Sequence, residues 1–417
     1  MHPPSASDLT GQRLGRAILG YLAMAVAVVT LSPFRFSLEP VNGLTEFWGT
    51  FDLVMNVVMF VPIGFIHQLS RPRGKPAWRS ALVLGAALSA LIEAAQFFTP
   101  GRYPSLFDLT TNTAGAALGA WIAGLALGRA DAARTVRAFA VELPLMGLVY
   151  LLAPLLWLAG LGSETDARAW IILPLTAAAG WIIGAVFTGF DRAPRSRILL
   201  ATAAWLVVAL VPGAFQSLGL TSAAGAMGLG AAWLRSVAPA RFTHETHREG
   251  APRRFESSTL RLVLPLFIAY LVVSSLTPPA IPDGRWSGTL ALLPAGQSPT
   301  TGVIFRALEH IAAFTLIGYA IAEYHGRTRD RFRTVAPAVF AWAAFSTAAL
   351  ELARGWHPEY RASATMFGLT LLGAGLGAHI LQQAAEMARH VRPQAPQIDV
   401  GGLQDEGGFR VLGQGQQ

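Results

Sequence analysis

Apolar stretches close to twenty residues long, separated by short polar connections, constrain this chain more than any other feature. One reads FDLVMNVVMFVPIGFIHQL (51–69). A helix rises 1.5 Å per residue, so about 20 apolar residues cross a hydrocarbon layer of about 30 Å. A chain in lipid must satisfy its own backbone, which leaves helices as the simple solution here. Twelve such stretches fall near 15–32, 51–69, 79–98, 108–128, 139–160, 169–189, 196–213, 218–235, 259–276, 303–323, 334–353 and 363–383. Charged residues make up only 13% of the chain, against about 25% in soluble proteins. The expected fold is therefore all-α, a polytopic transmembrane bundle of about twelve spans. The eighth stretch, SLGLTSAAGAMGLGAAWL, is rich in Gly and Ala and requires helix neighbours rather than lipid.

The charges report orientation. Formal net charge is +8, which in a soluble protein would point to nucleic acid. Here the basic residues cluster in alternate loops, the pattern of the positive-inside rule. Only Arg35, Arg102, Arg168, Arg285, Arg306, Arg354 and Arg361 fall on the side opposite the other 25 of the 32. Both termini are thus expected in the cytoplasm, with no nucleic-acid partner. No cysteine is present, which excludes disulfides and thiolate chemistry. The first apolar stretch reads as a retained anchor rather than a cleaved signal. The basic connection 237–258 contains HETH, which is not the HExxH spacing of a zinc site. It reads as a linker, and 386–417 as a disordered tail.

The chain nearly repeats itself. EAAQFFTPGRYPSLFDLTTNTAGAALG (93–119) aligns without a gap on ELARGWHPEYRASATMFGLTLLGAGLG (351–377), and NVVMFVPIG (56–64) on HIAAFTLIG (310–318). Two parallel four-helix units are expected, 1–130 and 259–385, flanking a four-helix insert at 131–236. The insert ends in GAMGLGAAW, faintly like GAALGAW at 115–121, which leaves a third copy open.

Polar side chains collect at one end of the first unit. Glu93 and Gln96 share a helix face at i, i+3; Asp52 and Asn56, and Asp108 and Asn112, do so at i, i+4. The orientation puts all three helix ends on the extracytoplasmic side, with Arg102 in the turn between two of them. Gly115 and Gly119, and in the second unit Gly373 and Gly377, read as helix-packing seams. The second unit offers His310, Glu351, Arg354 and Arg361, which leaves a buried His310–Glu351 pair or a proton relay open. Two readings stay open. One takes the groups as structural partners, helix-dipole carboxylates and interhelical hydrogen bonds. Alternatively they line a pocket whose excess of carboxylates suits a cationic or polyhydroxylated ligand. No metal spacing, no cofactor motif and no nucleophile–base motif is readable, so catalysis is not expected.

These residues resemble the VanZ-like family of bacterial membrane proteins. The carrying motifs are Asn56, Phe60-Val-Pro62-Ile-Gly64, Glu93-Ala-Ala-Gln96, Arg102, and Asp108-Leu-Thr-Thr-Asn112-Thr-Ala-Gly115-Ala-Ala-Leu-Gly119. Ser105 stands where the family often has an acidic residue. The second unit carries Arg354, Met366 and Thr370 in place of the Gln, Asp and Asn. The resemblance implies a bacterial inner-membrane protein of an envelope-related family whose name-giving members are linked to resistance to the glycopeptide teicoplanin, an antibiotic-resistance context. With the polar pocket, the first expectation is binding of a lipid-linked or glycan envelope ligand. The alternative is a secondary transporter, which twelve spans in parallel repeats also fit. Beyond the bilayer no partner is specified.

Overall fold

Uniformly apolar sequence with few internal breakers dictates helices, and the computed structural model contains little else. It describes residues 6–31, 37, 39–40, 43–44, 49–70, 78–128, 143–161, 169–190, 194–214, 217–238, 256–277, 280–281, 284–290, 301–326, 332–358 and 360–391. Twelve long helices lie among them: α1 (Ala6–Leu31), α2 (Thr50–Leu69), α3 (Trp78–Gln96), α4 (Leu106–Gly128), α5 (Leu143–Leu161), α6 (Ile172–Phe190), α7 (Arg195–Ala214), α8 (Leu218–Val237), α9 (Glu256–Leu276), α10 (Thr301–Gly326), α11 (Phe332–Gly355) and α12 (Ala364–Val391). Each coincides with one expected stretch. The last runs on to Val391, past the expected boundary at 385. Most of the HETH-containing connection and residues 392–417 lie outside the described residues.

Among the described residues five helices are long and apolar enough to cross a membrane: Asp52–Leu69, Trp78–Gln96, Thr259–Leu276, Val303–Ala322 and Val335–Gly355. Others have shorter apolar segments, among them Ile18–Leu31, Leu145–Gly160, Ile172–Thr188 and Ala364–Ile380. Large apolar side chains face outward from the bundle. Leu91 is 69% exposed, Leu200 72% and Phe345 70%. Water would make such a surface costly, whereas hydrocarbon makes it neutral.

Close backbone approach organises the bundle. α2 packs most extensively on α4, α6 on α8, and α10 on α12; α3, α7 and α11 are the next neighbours of α4, α8 and α12. Each main contact is a glycine seam. A Cβ on Gly64 would overlap the carbonyl oxygen of Ala116, and one on Gly119 that of Val61. Gly318 stands likewise against Ala374, Gly377 against Thr315, and Gly180 against Gly228. Gly115 and Gly373 meet Val57 and Ile311 in the same way. Without side chains on these faces the backbones come into van der Waals contact, which supplies association energy that lipid does not oppose. The Gly- and Ala-rich α8 accordingly buries Ala224, Gly228, Ala232 and Arg235 along one stripe.

α5 is encased by protein. Leu145, Leu148, Leu151, Leu155 and Trp157 are all fully buried, and the helix touches α6, α7, α10, α12 and α1. A helix apolar all round belongs in such a place. The Trp157 indole donates to the Val208 carbonyl at 3.0 Å, which satisfies its one polar atom. α1 packs on α12 as well as on α2, and its Tyr21 hydroxyl meets Thr315 of α10.

Candidate functional site

The end of α3 sets the site. After Gln96 the chain leaves the helix through short turn bonds, Thr99 N to Gln96 O at 3.0 Å and Arg102 N to Thr99 O at 3.1 Å. Gly101 adopts φ +78°, a left-handed conformation that favours glycine. The turn carries Ser105 back over α3, where its amide donates to Glu93 Oε2 at 2.8 Å. Ser105 then starts α4: its Oγ accepts from Phe107 N at 3.1 Å. It acts as an N-cap, with Asp108 three residues on in the favourable first turn.

Asp52, Asn56, Glu93, Arg102 and Asp108 converge here from α2, the α3–α4 turn and the facing ends of α3 and α4. Asp108 feels the charge of Asp52 and faces the Asn56 amide, and Glu93 feels Asp108. Burial pushes the Arg102 guanidinium below its ordinary pKa, and the neighbouring Asp52 carboxylate pulls it back up. Glu93 and Gln96 are buried, Asp108 and Arg102 half-buried, and Asp52 lies exposed at the rim.

Asn112 lies one turn deeper than Asp108 and is 3% exposed. Its Nδ2 donates to Ser89 Oγ at 2.9 Å, but its Oδ1 has no partner. The buried Nδ2 of Asn56 likewise completes no hydrogen bond of normal geometry, although that side chain faces Asp108. Buried polar atoms are normally satisfied. An open donor and an open acceptor beside a group of carboxylates is the arrangement that a polar ligand completes.

Two contributors carry no site motif in the sequence. Ser105-Leu-Phe-Asp108 has capping-box spacing, the local signal that marks Ser105. Ser89 lies four residues before Glu93, on the same face of α3.

α10, α11 and α12 hold a comparable frame with different occupants. Ser363 N donates to Glu351 Oε2 at 2.6 Å, and Thr370 Oγ1 to Thr347 Oγ1 at 3.0 Å. These positions align with Ser105, Glu93, Asn112 and Ser89. Arg354 Nη1 holds the other Glu351 oxygen at 3.0 Å. Arg354 and Ser363 thus hold one Glu351 carboxylate oxygen each. His310 is buried and Arg361 is exposed. Arg306 and Tyr360, which the sequence reading did not single out as a pair, lie together (Cζ 5.8 Å from the ring centre). A cavity of about 420 Å³ opens beside Glu351 and Ser363, walled by Trp286, Leu290 and Phe367. Among the described residues no three His, Asp or Glu side chains converge as metal ligands.

Residues 10–127 match the VanZ/LLP1 family model. No curated protein and no solved structure matches the chain. The matched segment contains every residue of the acidic cluster, together with the glycine seam that holds α2 against α4. Residues 10–127 are thus similar to the VanZ/LLP1 family, in a chain whose described residues include five helices long and apolar enough to cross a membrane.

Proposed function

We propose that this protein sits in the bacterial inner membrane with both termini cytoplasmic, and that its first unit binds a cationic or polyhydroxylated envelope ligand from the extracytoplasmic side. Lipid-linked or glycan molecules of the cell envelope have that chemistry, and glycopeptide (teicoplanin) susceptibility is the expected phenotype. One observation carries the reading: the unfilled Asn56 Nδ2 and Asn112 Oδ1 lie in a cluster of Asp52, Glu93 and Asp108 around the single Arg102. A purely structural cluster would be expected to close its own hydrogen bonds.

The architecture belongs to the same proposal. The recurrence of the Glu93–Ser105 and Asn112–Ser89 bonds as Glu351–Ser363 and Thr370–Thr347 supports two parallel units. The packing order of α6, α7 and α8 supports a third unit between them, one without the carboxylates. No catalytic step is assigned.

The test replaces charge without changing shape. Glu93→Gln and Asp108→Asn should alter teicoplanin susceptibility of a strain dependent on this protein while membrane abundance stays normal. Unchanged susceptibility, or a change that follows abundance, refutes the ligand site.

A further inference from the structure

The aligned positions of the two polar clusters carry different charges. Asp52, Glu93, Gln96, Arg102 and Asp108 of the first unit become Arg306, Glu351, Arg354, Tyr360 and Met366. Three carboxylates around one arginine are replaced by two arginines around one carboxylate. That carboxylate is already saturated by Arg354 Nη1 and Ser363 N.

The two guanidinium groups are held on one ring. Arg306 Cζ lies 5.8 Å and Arg354 Cζ 5.2 Å from the centre of Tyr360. The ring is fixed in turn: its hydroxyl donates to the Thr277 carbonyl, and His357 packs on it at 4.5 Å between ring centres. A ring attracts each cation, but two like charges gathered on it repel. Arg354 Nε is buried and has no partner, and among the described residues Arg306 makes no ion pair. A tetrahedral anion between the two arginines would fill both deficits, since guanidinium forks suit phosphate geometry. The adjoining cavity is walled by Trp286, Leu290 and Phe367, which suit hydrocarbon rather than water.

We infer that Arg306 and Arg354, clamped on Tyr360, form a second site that binds the phosphate group of a lipid, with its apolar part against the Trp286–Phe367 cavity. The inference rests on the membrane reading above but not on the ligand of the first cluster, so either can fail alone. The site lies at the same end of the second unit as the acidic cluster does in the first.

The experiment uses the full-length protein in an uncharged detergent, with native mass spectrometry reading retention of added phosphatidylglycerol. Phosphatidylcholine and inorganic phosphate form the other arms. Phosphatidylglycerol should bind more tightly than phosphatidylcholine, and Arg306→Gln should weaken it about tenfold or more, as expected when a charge-assisted contact is lost. Arg306→Lys should restore part of the binding, and Arg361→Gln, which removes an exposed charge nearby, should leave it intact. Arg354→Gln should act like Arg306→Gln, with thermal unfolding read alongside because it also frees Glu351. Asp52→Asn should leave phosphatidylglycerol binding as in the wild type. Inorganic phosphate that competes, and does so only with Arg306 present, supports the clamp with a free anion as its source. Equal binding of both phospholipids, or equal losses in Arg306→Gln and Arg361→Gln, overturns the inference.

Discussion

Gly119→Ala adds one methyl group at the tightest place in the first unit. The new Cβ would overlap the Val61 carbonyl oxygen and lie 2.8 Å from Val61 C and 2.9 Å from Phe65 N. All three are backbone atoms of α2, so no rotamer change relieves the collision. Normal carbon contacts begin near 3.5 Å, so α2 and α4 must separate by an appreciable part of an ångström. Overpacking of this kind costs about 1–3 kcal/mol, and the rigidity of both partners puts this case toward the upper end. Gly124→Ala on the same helix is the internal control, because nothing lies within 4 Å of its Cβ. There the gain in helix propensity should stabilise by about 0.5–1 kcal/mol. Thermal unfolding in detergent reads both, and the central quantity is the difference between them. Equal unfolding temperatures, or a more stable Gly119→Ala, would refute the seam as the contact that joins these helices.

Other substitutions separate packing from binding. Glu93→Ala leaves the buried Ser105 N–H without its acceptor and should cost about 1–3 kcal/mol in detergent unfolding, whereas Glu93→Gln keeps an acceptor oxygen and should cost less. Tyr270→Phe removes the 2.6 Å hydrogen bond to the buried Glu309 carboxyl, and a loss of about 1.5–3 kcal/mol is expected for a bond to a charged group. Ser89→Ala should strand Asn112 Nδ2 and lower stability by about 1–3 kcal/mol; an unchanged unfolding temperature would mean that Asn112 finds a new partner.

The positions of the helices were legible because lipid imposes one length scale on apolar sequence. α2, α7 and α8 could be read to within two residues at either end. The role of α5 could not: a stretch such as LPLMGLVYLLAPLLWLAGL has the same hydropathy whether it faces lipid or protein, and only tertiary contacts bury it. The acidic cluster was visible through i, i+4 spacing and the phase of basic loops, but its internal bonds were not. Glu93 finds the backbone of Ser105, and a side-chain motif carries no mark of a backbone donor. Farther along the chain Glu351 pairs with Arg354, which sits one helical turn away and needs no second helix to reach it. Tyr360 was missed because it aligns with Arg102, and an aromatic residue replacing a cation is not read as part of a charge cluster.

The account turns on both polar clusters facing the outside of the cell. The chain has no cysteine, so a single introduced thiol reports its own side of the membrane. Tyr103→Cys beside the first cluster and Arg361→Cys beside the second, both at exposed positions, should react with a membrane-impermeant maleimide in intact spheroplasts. Arg79→Cys, exposed at the opposite end of α3, should react only after the membrane is opened. Labelling of Arg79→Cys from outside with Tyr103→Cys protected, or labelling of Tyr103→Cys and Arg361→Cys from opposite sides, would contradict it.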